Sequence, residues 1–461
     1  MIMKQANQKY PKLTLLFCLL FMLAKNSYAD DHLASHRHLA DPATLVYNGR
    51  VYLYASNDDD NTDDKDSGYK MKSIVCISSS DMKNWTDHGV VFEAPRDVTW
   101  ASRTWAPSVI ARNGKIYLYF GNGGSGIGVA TSSSPIGPFK DPLGKKLIDN
   151  ETPGVQPAKN MWLFDPMAFL DDDGQVYLYF GGNGEDNMRV IKLNEDMISV
   201  NGRATSFHVP AFFEASWMHK RNGNYYFSYS SNPKAEMRID YMMSTNPTTG
   251  FVYKGVIGAQ PPNNNNNNHH GIFEFKGKWY HAYHNRVVAI KKGIPPVYKR
   301  NLAIEELNYK PDGSIVQINY TVNGVTQIGT VNPYQRNEAE TLQDQEGIMT
   351  KNAADGGMQI SGMKNNNWIK IQGVDFGKKG PKLFSAQISG LSPGTSLEVR
   401  AGSLDGKPIA KLVSTGKQAA GLQLHTGKAE LIKGKQDLYL VVSGVDSANG
   451  IDIDWWRFQQ R

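Results

Sequence analysis

Between residues 48 and 284 the chain passes five times from a polar turn carrying a glycine into a run of alternating apolar and aromatic positions. The stretches are 48-NGRVYLYAS-56, 113-NGKIYLYFG-121, 173-DGQVYLYFGG-182, 222-NGNYYFSYS-230 and 276-KGKWYHAYH-284. A turn glycine followed by such a run predicts a β-strand. The glycines Gly49, Gly114, Gly174, Gly223 and Gly277 lie 65, 60, 49 and 54 residues apart. Those intervals suit four-stranded sheets joined by loops of variable length, the unit of a β-propeller. Five repeats predict five blades. An α/β fold would need long helical patterns between its strands, and the region has none. An irregular β-sandwich would also give alternation, but it leaves the recurrence at blade-sized intervals without a cause.

If each repeated phrase is the second strand of its blade, the segment before it is the innermost strand and lines the axis. Asp41 lies eight residues before Gly49, Trp105 nine before Gly114, and Asp165 nine before Gly174. Glu214 lies nine before Gly223 and His269 eight before Gly277. Asp165 interrupts the apolar run 162-WLFDPMAFLDDDG-174, where a carboxylate is costly unless something uses or satisfies it. One Asp-Pro pair alone is most often a turn device. Three carboxylates, a tryptophan and a histidine in one register instead predict a shared pocket at the axis.

Two carboxyl groups flanking a sugar ring are the apparatus of glycoside hydrolysis, one protonating the leaving oxygen and one activating water or attacking carbon. A third close by alters the protonation of the others. Three carboxylates are also a set that can hold a metal, but the acidic run 58-DDDNTDDKD-66 does not match an EF-hand calcium loop. The aromatic residues Trp105, Trp162, Phe213 and Trp217 around the expected axis favour sugar rings, with some of them belonging to blade core.

The bulk composition narrows the class. The chain has 461 residues, 40% hydrophobic and 20% charged, with a formal net charge of +6, as in an ordinary globular protein. No arginine-rich stripe interleaved with aromatics points to nucleic acid. Lys4, Lys9 and Lys12 precede the apolar run LTLLFCLLFMLA, and 27-SYA-29 offers an export cleavage site. Residues 1–29 are therefore expected to be a signal peptide, with a secreted or periplasmic mature chain beginning near Asp30 and no membrane segment after cleavage. Cys76 is then the one cysteine left, so no intrachain disulfide is expected and the thiol reads as a small buried hydrophobe.

The segments ADPATLVYNGRVYLY, WAPSV, GIGVATSSSPIGPFKD, WLFDPMAFLDDDGQVYLYFGG, FFEASW, NNHHGIF and RNLAIEELNYKPDGSI together resemble family 43 of the glycoside hydrolases, over residues 30–330. PIGPF, WLFDP and NNHHG resemble its arabinoxylan arabinofuranohydrolase group. The resemblance implies a five-bladed propeller that hydrolyses glycosides with inversion, which implies carboxyl groups about 6.5–9.5 Å apart. It implies Asp41 as general base, Glu214 as general acid, and Asp165 as the residue that orients the acid and tunes its pKa. The apolar PAFF before Glu214 suits a protonated acid. The basic His36, Arg37 and His38 before Asp41 suit an ionised base, if they fold beside it. Trp105, Phe213 and Arg286 are the expected substrate contacts. His269, or His270 beside it, is the expected contact of an axial cation, often calcium, or of a water network.

From 331-VNPYQRNEAETL-342 onward the chain carries short alternating strands, including WIKIQGVDFG, DLYLVVSG and IDIDWWRF, which predict a β-sandwich over residues 331–461. Its opening NEAE and closing IDIDWWRF resemble family 6 carbohydrate-binding modules, which are jelly rolls. That resemblance implies a structural calcium held by Glu338, Glu340 and Asp454, and a sugar-stacking ring at Trp368. The second ring expected in 414-STGKQAAGLQLHT-426 has no aromatic candidate, and Asp452 stands where the module's asparagine belongs. Sugar binding and bracing of the propeller both remain open for this domain.

The expectation is an exo-acting α-L-arabinofuranosidase that removes arabinose side chains from arabinoxylan or related hemicellulose. The substrates would be arabinoxylan, arabinan or xylan-derived oligosaccharides, the protein a monomer, and no organic cofactor is implied. A β-xylosidase or exo-arabinanase of the same fold, and a non-catalytic carbohydrate-binding protein, are the alternatives.

Overall fold

The computed structural model describes residues 32–61, 68–261, 267–321, 323–354, 356–414, 416, 421–444 and 450–461. The expected signal peptide lies outside them. Each repeated phrase forms the second strand of an antiparallel sheet: Arg50–Asn57, Lys115–Gly121, Val176–Phe180, Asn224–Ser231 and Lys278–Asn285. The five turn glycines all have φ between +75° and +83°. None has an atom within 4 Å of where a Cβ would stand, so the positive φ of a tight hairpin turn is what demands glycine there.

The innermost strands are Leu39–Tyr47, Trp105–Arg112, Met167–Leu170, Phe212–Arg221 and His270–Phe275, each paired with the second strand of its blade. Five sheets packed around one axis make the five-bladed propeller. The ring closes where the N-terminal segment reaches blade five, with Leu33 N–H donating to Leu302 O at 3.1 Å. Aromatic side chains such as Tyr54, Phe120, Tyr179, Phe227 and Tyr280 are buried in the propeller core. Cys76 is a free thiol buried in this core. Among the described residues the one α-helix is the short Val287–Lys291, and no helix is long and apolar enough to cross a membrane.

The C-terminal domain packs a six-stranded sheet against a five-stranded sheet. Ile360, Ile371, Phe384, Leu440 and Trp456 lie in the core between them. The domain adds an edge strand to blade one, pairing Thr341 with Thr86 and Leu342 with Trp85. Beside that seam the buried Asp87 accepts from Arg37 Nε at 2.7 Å and Thr350 Oγ1 at 2.7 Å, and meets His36 Nε2 at 2.9 Å. Burial alone would raise this carboxyl, but Arg37 and His36 more than offset it and hold it well below the ordinary range.

Candidate active site

The inner strands do not run straight past the axis. Their registers slip between Ala40 and Ala43, between Trp105 and Ser108, and on both sides of Glu214. At these slips Asp41, Ala106 and Ala215 take φ of +55°, +42° and +59°, and Asp165 takes +49° just before its strand. Left-handed φ at non-glycine residues costs free energy and is retained where surrounding structure fixes it. A bulge re-aims side chains out of the regular pleat. Here the slips turn Asp41, Trp105 and Glu214, and the left-handed φ turns Asp165, into one pocket of about 300 Å³.

Tyr69, Trp105, Trp162, Phe164 and Phe213 form its aromatic wall. Trp162 meets Phe164 and Phe213 edge-on, with ring centroids 5.5 and 5.2 Å apart. Trp217 is blade core instead, its indole N–H donating to Ile272 O at 3.1 Å. The volume is at the small end of the ligand-site range of about 300–1,000 Å³.

Asp41 Oδ1 accepts from Arg300 Nη1 at 2.6 Å, and the Asp41 backbone N–H donates to His284 Nδ1 at 3.2 Å. The expected basic neighbours go elsewhere: His36 and Arg37 pair with Asp87, and His38 with Asp59 at 2.8 Å. Among the described residues, Arg300 is the cation that lines the pocket. Burial opposes its charge, and Asp41 and Asp58 more than compensate, keeping the guanidinium protonated.

Asp165 Oδ2 accepts from Ala215 N–H at 3.0 Å. Burial, followed by the charge of Asp41, raises the Asp165 carboxyl well above its usual value, while the Ala215 bond opposes that rise. Glu214 is also raised well above its usual value, by burial first and then by Asp165 and Asp41. Two adjacent buried carboxyls do not ionise together. A backbone hydrogen bond opposes the rise at each of them, from Ala215 at Asp165 and from Asn268 at Glu214.

His269 lines the pocket with Nδ1 at 3.8 Å from Asp41 Oδ1 and 3.7 Å from Asp165 Oδ2. Burial lowers its pKa to about 4, so the ring is neutral near pH 7. The next residue faces the other way. His270 is buried against Ser228 Oγ at 2.7 Å and stacks on His281, which removes it from any axial cation site.

Arg286 also departs from expectation. It is buried behind the wall, donating to Pro296 O at 2.9 Å, Tyr69 Oη at 3.1 Å and Asn267 Oδ1 at 3.1 Å, and it does not line the pocket. It follows the second strand of blade five, one strand away from the axis, so its side chain supports two wall residues from outside. The wall arginine is Arg300, which the sequence reading missed. It stands at the head of 300-RNLAIEEL-307, with nothing local to distinguish it from any arginine before a strand.

In the C-terminal domain Trp368 stacks at a tilt on Tyr439, centroids 5.8 Å apart. Its aromatic neighbour thus comes from the adjacent strand rather than from 414–426, of which residues 415 and 417–420 lie outside those described. Asp452 pairs with Lys351 at 2.7 Å. The expected calcium ligands are divided: Arg336 pairs with Glu338 at 2.8 Å and with Asp454 at 3.3 Å. Among the described residues no group of three His, Cys, Asp or Glu side chains is arranged to hold a metal ion, at the axis or in this domain. Of the three expected ligands, Glu340 is the one with an unpartnered buried oxygen, Oε2. Burial, then Glu338, Asp87 and Asp454, push its carboxyl up to about 9.

Residues 35–315 match the family described as Glycosyl hydrolases family 43, and residues 338–460 match Carbohydrate binding module (family 6). An arabinoxylan arabinofuranohydrolase of Bacillus subtilis (strain 168) is 38% identical over 486 residues, covering 95% of this chain and 94% of that protein. The crystal structure of a family 43 arabinoxylan arabinofuranohydrolase from Bacillus subtilis, in complex with cellotetraose, superposes with a TM-score of 0.86. That match has 38% identity and covers 93% of this chain and 96% of the other. An alpha-L-arabinofuranosidase structure from Clostridium thermocellum is 59% identical with a TM-score of 0.56, over 62% of this chain and 95% of the other. The five-bladed architecture, the carboxylates brought together at its axis and these matches agree: the chain belongs to glycoside hydrolase family 43 and carries a C-terminal family 6 carbohydrate-binding module.

Proposed function

We propose that the protein is an exo-acting, inverting α-L-arabinofuranosidase that removes arabinose side chains from arabinoxylan or a related hemicellulose. The observation that carries this reading is the meeting of Asp41, Asp165 and Glu214 in one small aromatic-walled pocket, on a chain similar along nearly its whole length to an arabinoxylan arabinofuranohydrolase. A pocket for one ring favours a terminal side-chain sugar over the middle of a polymer.

In the proposed reaction the arabinose ring enters against Trp105 and Phe213. Asp41 takes a proton from water as the water oxygen bonds to the anomeric carbon. Glu214 gives its proton to the glycosidic oxygen as the old carbon–oxygen bond breaks, releasing the xylan hydroxyl. Asp165 keeps Glu214 protonated through its charge and aims it through the bond to Ala215. Arg300 holds Asp41 in place through its bond to Oδ1. Proton NMR on arabinoxylan, arabinan and xylan tests the reading: arabinose should appear first as the β-anomer, from arabinoxylan ahead of the others. Xylose as the main product would replace it with a β-xylosidase. Polymer binding without any release would replace it with a binding protein.

Four finer readings belong to the same proposal. Glu340 anchors a calcium ion in the C-terminal domain, supported by its unpartnered buried oxygen. Trp368 and Tyr439 form a sugar platform there. The mature chain is exported, as residues 1–29 suggest, and works as a monomer, which light scattering would check.

A further inference from the structure

The acidic run that begins at Asp58 has a use unrelated to metal. Its first three carboxylates point to three different partners. Asp60 Oδ2 accepts from Lys72 N–H at 2.9 Å and Ser73 N–H at 2.8 Å. Asp59 pairs with His38. Asp58 is fully buried and takes the fork of Arg300: Nε donates to Oδ2 at 2.9 Å and Nη2 to Oδ1 at 2.8 Å, with the Arg300 backbone N–H on Oδ2 at 2.8 Å.

This leaves Nη1 as the end of the guanidinium that reaches Asp41, and it reaches Oδ1. His284 Nδ1 at 3.4 Å and His269 Nδ1 at 3.8 Å also approach Oδ1. Tyr69 covers the guanidinium with its ring centroid 4.4 Å away. The turn itself is tied to the strand of the carboxylate it serves, because Asp58 N–H donates to His38 O at 2.9 Å. An arginine facing a single carboxylate prefers to engage both oxygens at once. With its fork already on Asp58, Arg300 binds Asp41 through one oxygen and leaves Oδ2 for water.

We propose that Asp58 is a positioning residue for hydrolysis: by occupying the fork of Arg300 it keeps one oxygen of Asp41 free to take the proton of the attacking water. The inference rests on the reading of Asp41 as general base.

The test is Asp58→Asn, with kcat and KM measured on an aryl α-L-arabinofuranoside whose good leaving group makes little demand on Glu214. Misplacement of a reacting group by a distant change costs on the order of 100-fold. We expect kcat to fall by about 10–100-fold on that basis, with KM changed by less than about threefold, in a protein that still melts cooperatively. In an Asp41→Asn background the same substitution should cause no further loss, because residues acting as one unit are not additive. A folded Asp58→Asn enzyme with kcat within about twofold of the unaltered protein overturns the inference, as does a fully additive loss in the double variant. If Asp58→Asn does not fold, Asp58→Glu is scored by the same criteria, and failure of both to fold makes Asp58 a residue of the fold alone. Near-normal activity of Asp41→Asn by itself would remove the base assignment instead, which separates the two failures.

Discussion

Ala215 N–H donates to Asp165 Oδ2 across 50 residues of sequence, which fixes the carboxylate of blade three against the residue that follows Glu214 in blade four. The contact places a negative charge beside the proposed acid, and burial with that charge raises the Glu214 carboxyl. Asp165→Asn keeps the size and deletes the charge. Glu214 then loses its proton at lower pH, so the alkaline limb of kcat/KM shifts to lower pH on a substrate whose leaving group needs protonation. An unmoved limb with near-normal turnover would reduce Asp165 to a turn residue.

Leaving-group dependence separates the other two carboxylates. Glu214→Gln and Asp41→Asn should each lower kcat by about 100–10,000-fold on arabinoxylan, the usual worth of a positioned proton donor or acceptor. An aryl arabinoside with an acidic phenol should restore much of the rate to the Glu214 variant and little to the Asp41 variant. Equal impairment on both substrates would refute the assignment of acid and base.

Asp87 pairs with Arg37 and His36 inside the propeller and accepts from Thr350 Oγ1 of the C-terminal domain. Removing one partner of a buried ion pair costs about 3–5 kcal/mol, so Asp87→Asn should lower Tm by calorimetry without changing the pocket. The depressed carboxyl contributes stability that is present above its unfolded pKa near 3.8 and is lost as pH falls below it. The unaltered protein should therefore lose stability in acid from about pH 4 downward, and Asp87→Asn should flatten that part of the profile. An identical acid limb in both proteins would contradict the role.

Glu340 gives the opposite sign. Its folded pKa of about 9 lies above the ordinary 4.5, so the folded state retains a proton that the unfolded chain has lost, and stability declines as pH rises from about 5 toward 9. A bound cation would take the place of that proton. Calcium should raise Tm more at pH 8 than at pH 5, and Glu340→Gln should abolish the difference. No calcium effect at either pH would leave Glu340 as an uncompensated buried acid.

The repeated glycine-led phrases were enough to place the second strand of every blade, because the positive φ of a tight turn and the two-residue period of a strand are local properties. Counting back from those glycines also brought Asp41, Trp105, Asp165, Glu214 and His269 to the axis, where all five line one pocket. The contact between Trp368 and Tyr439 was not legible, since Tyr439 lies on a strand that meets the strand of Trp368 only through sheet pairing.

Other parts were decided by tertiary structure alone. His269 and His270 are adjacent in sequence, yet one reaches the pocket and the other packs on His281. A one-residue change of register reverses the face of a strand, and nothing local chooses between the two histidines. Arg286 and Arg300 both stand at strand ends in blade five, and closure of the propeller puts Arg300 against Asp41, 259 residues away. The basic triplet His36, Arg37 and His38 belongs to Asp87 and Asp59 for the same reason. Alternation and turn chemistry act over a few residues and can be read from the chain. Charge pairing acts through space, and its partners exist only after the blades have closed.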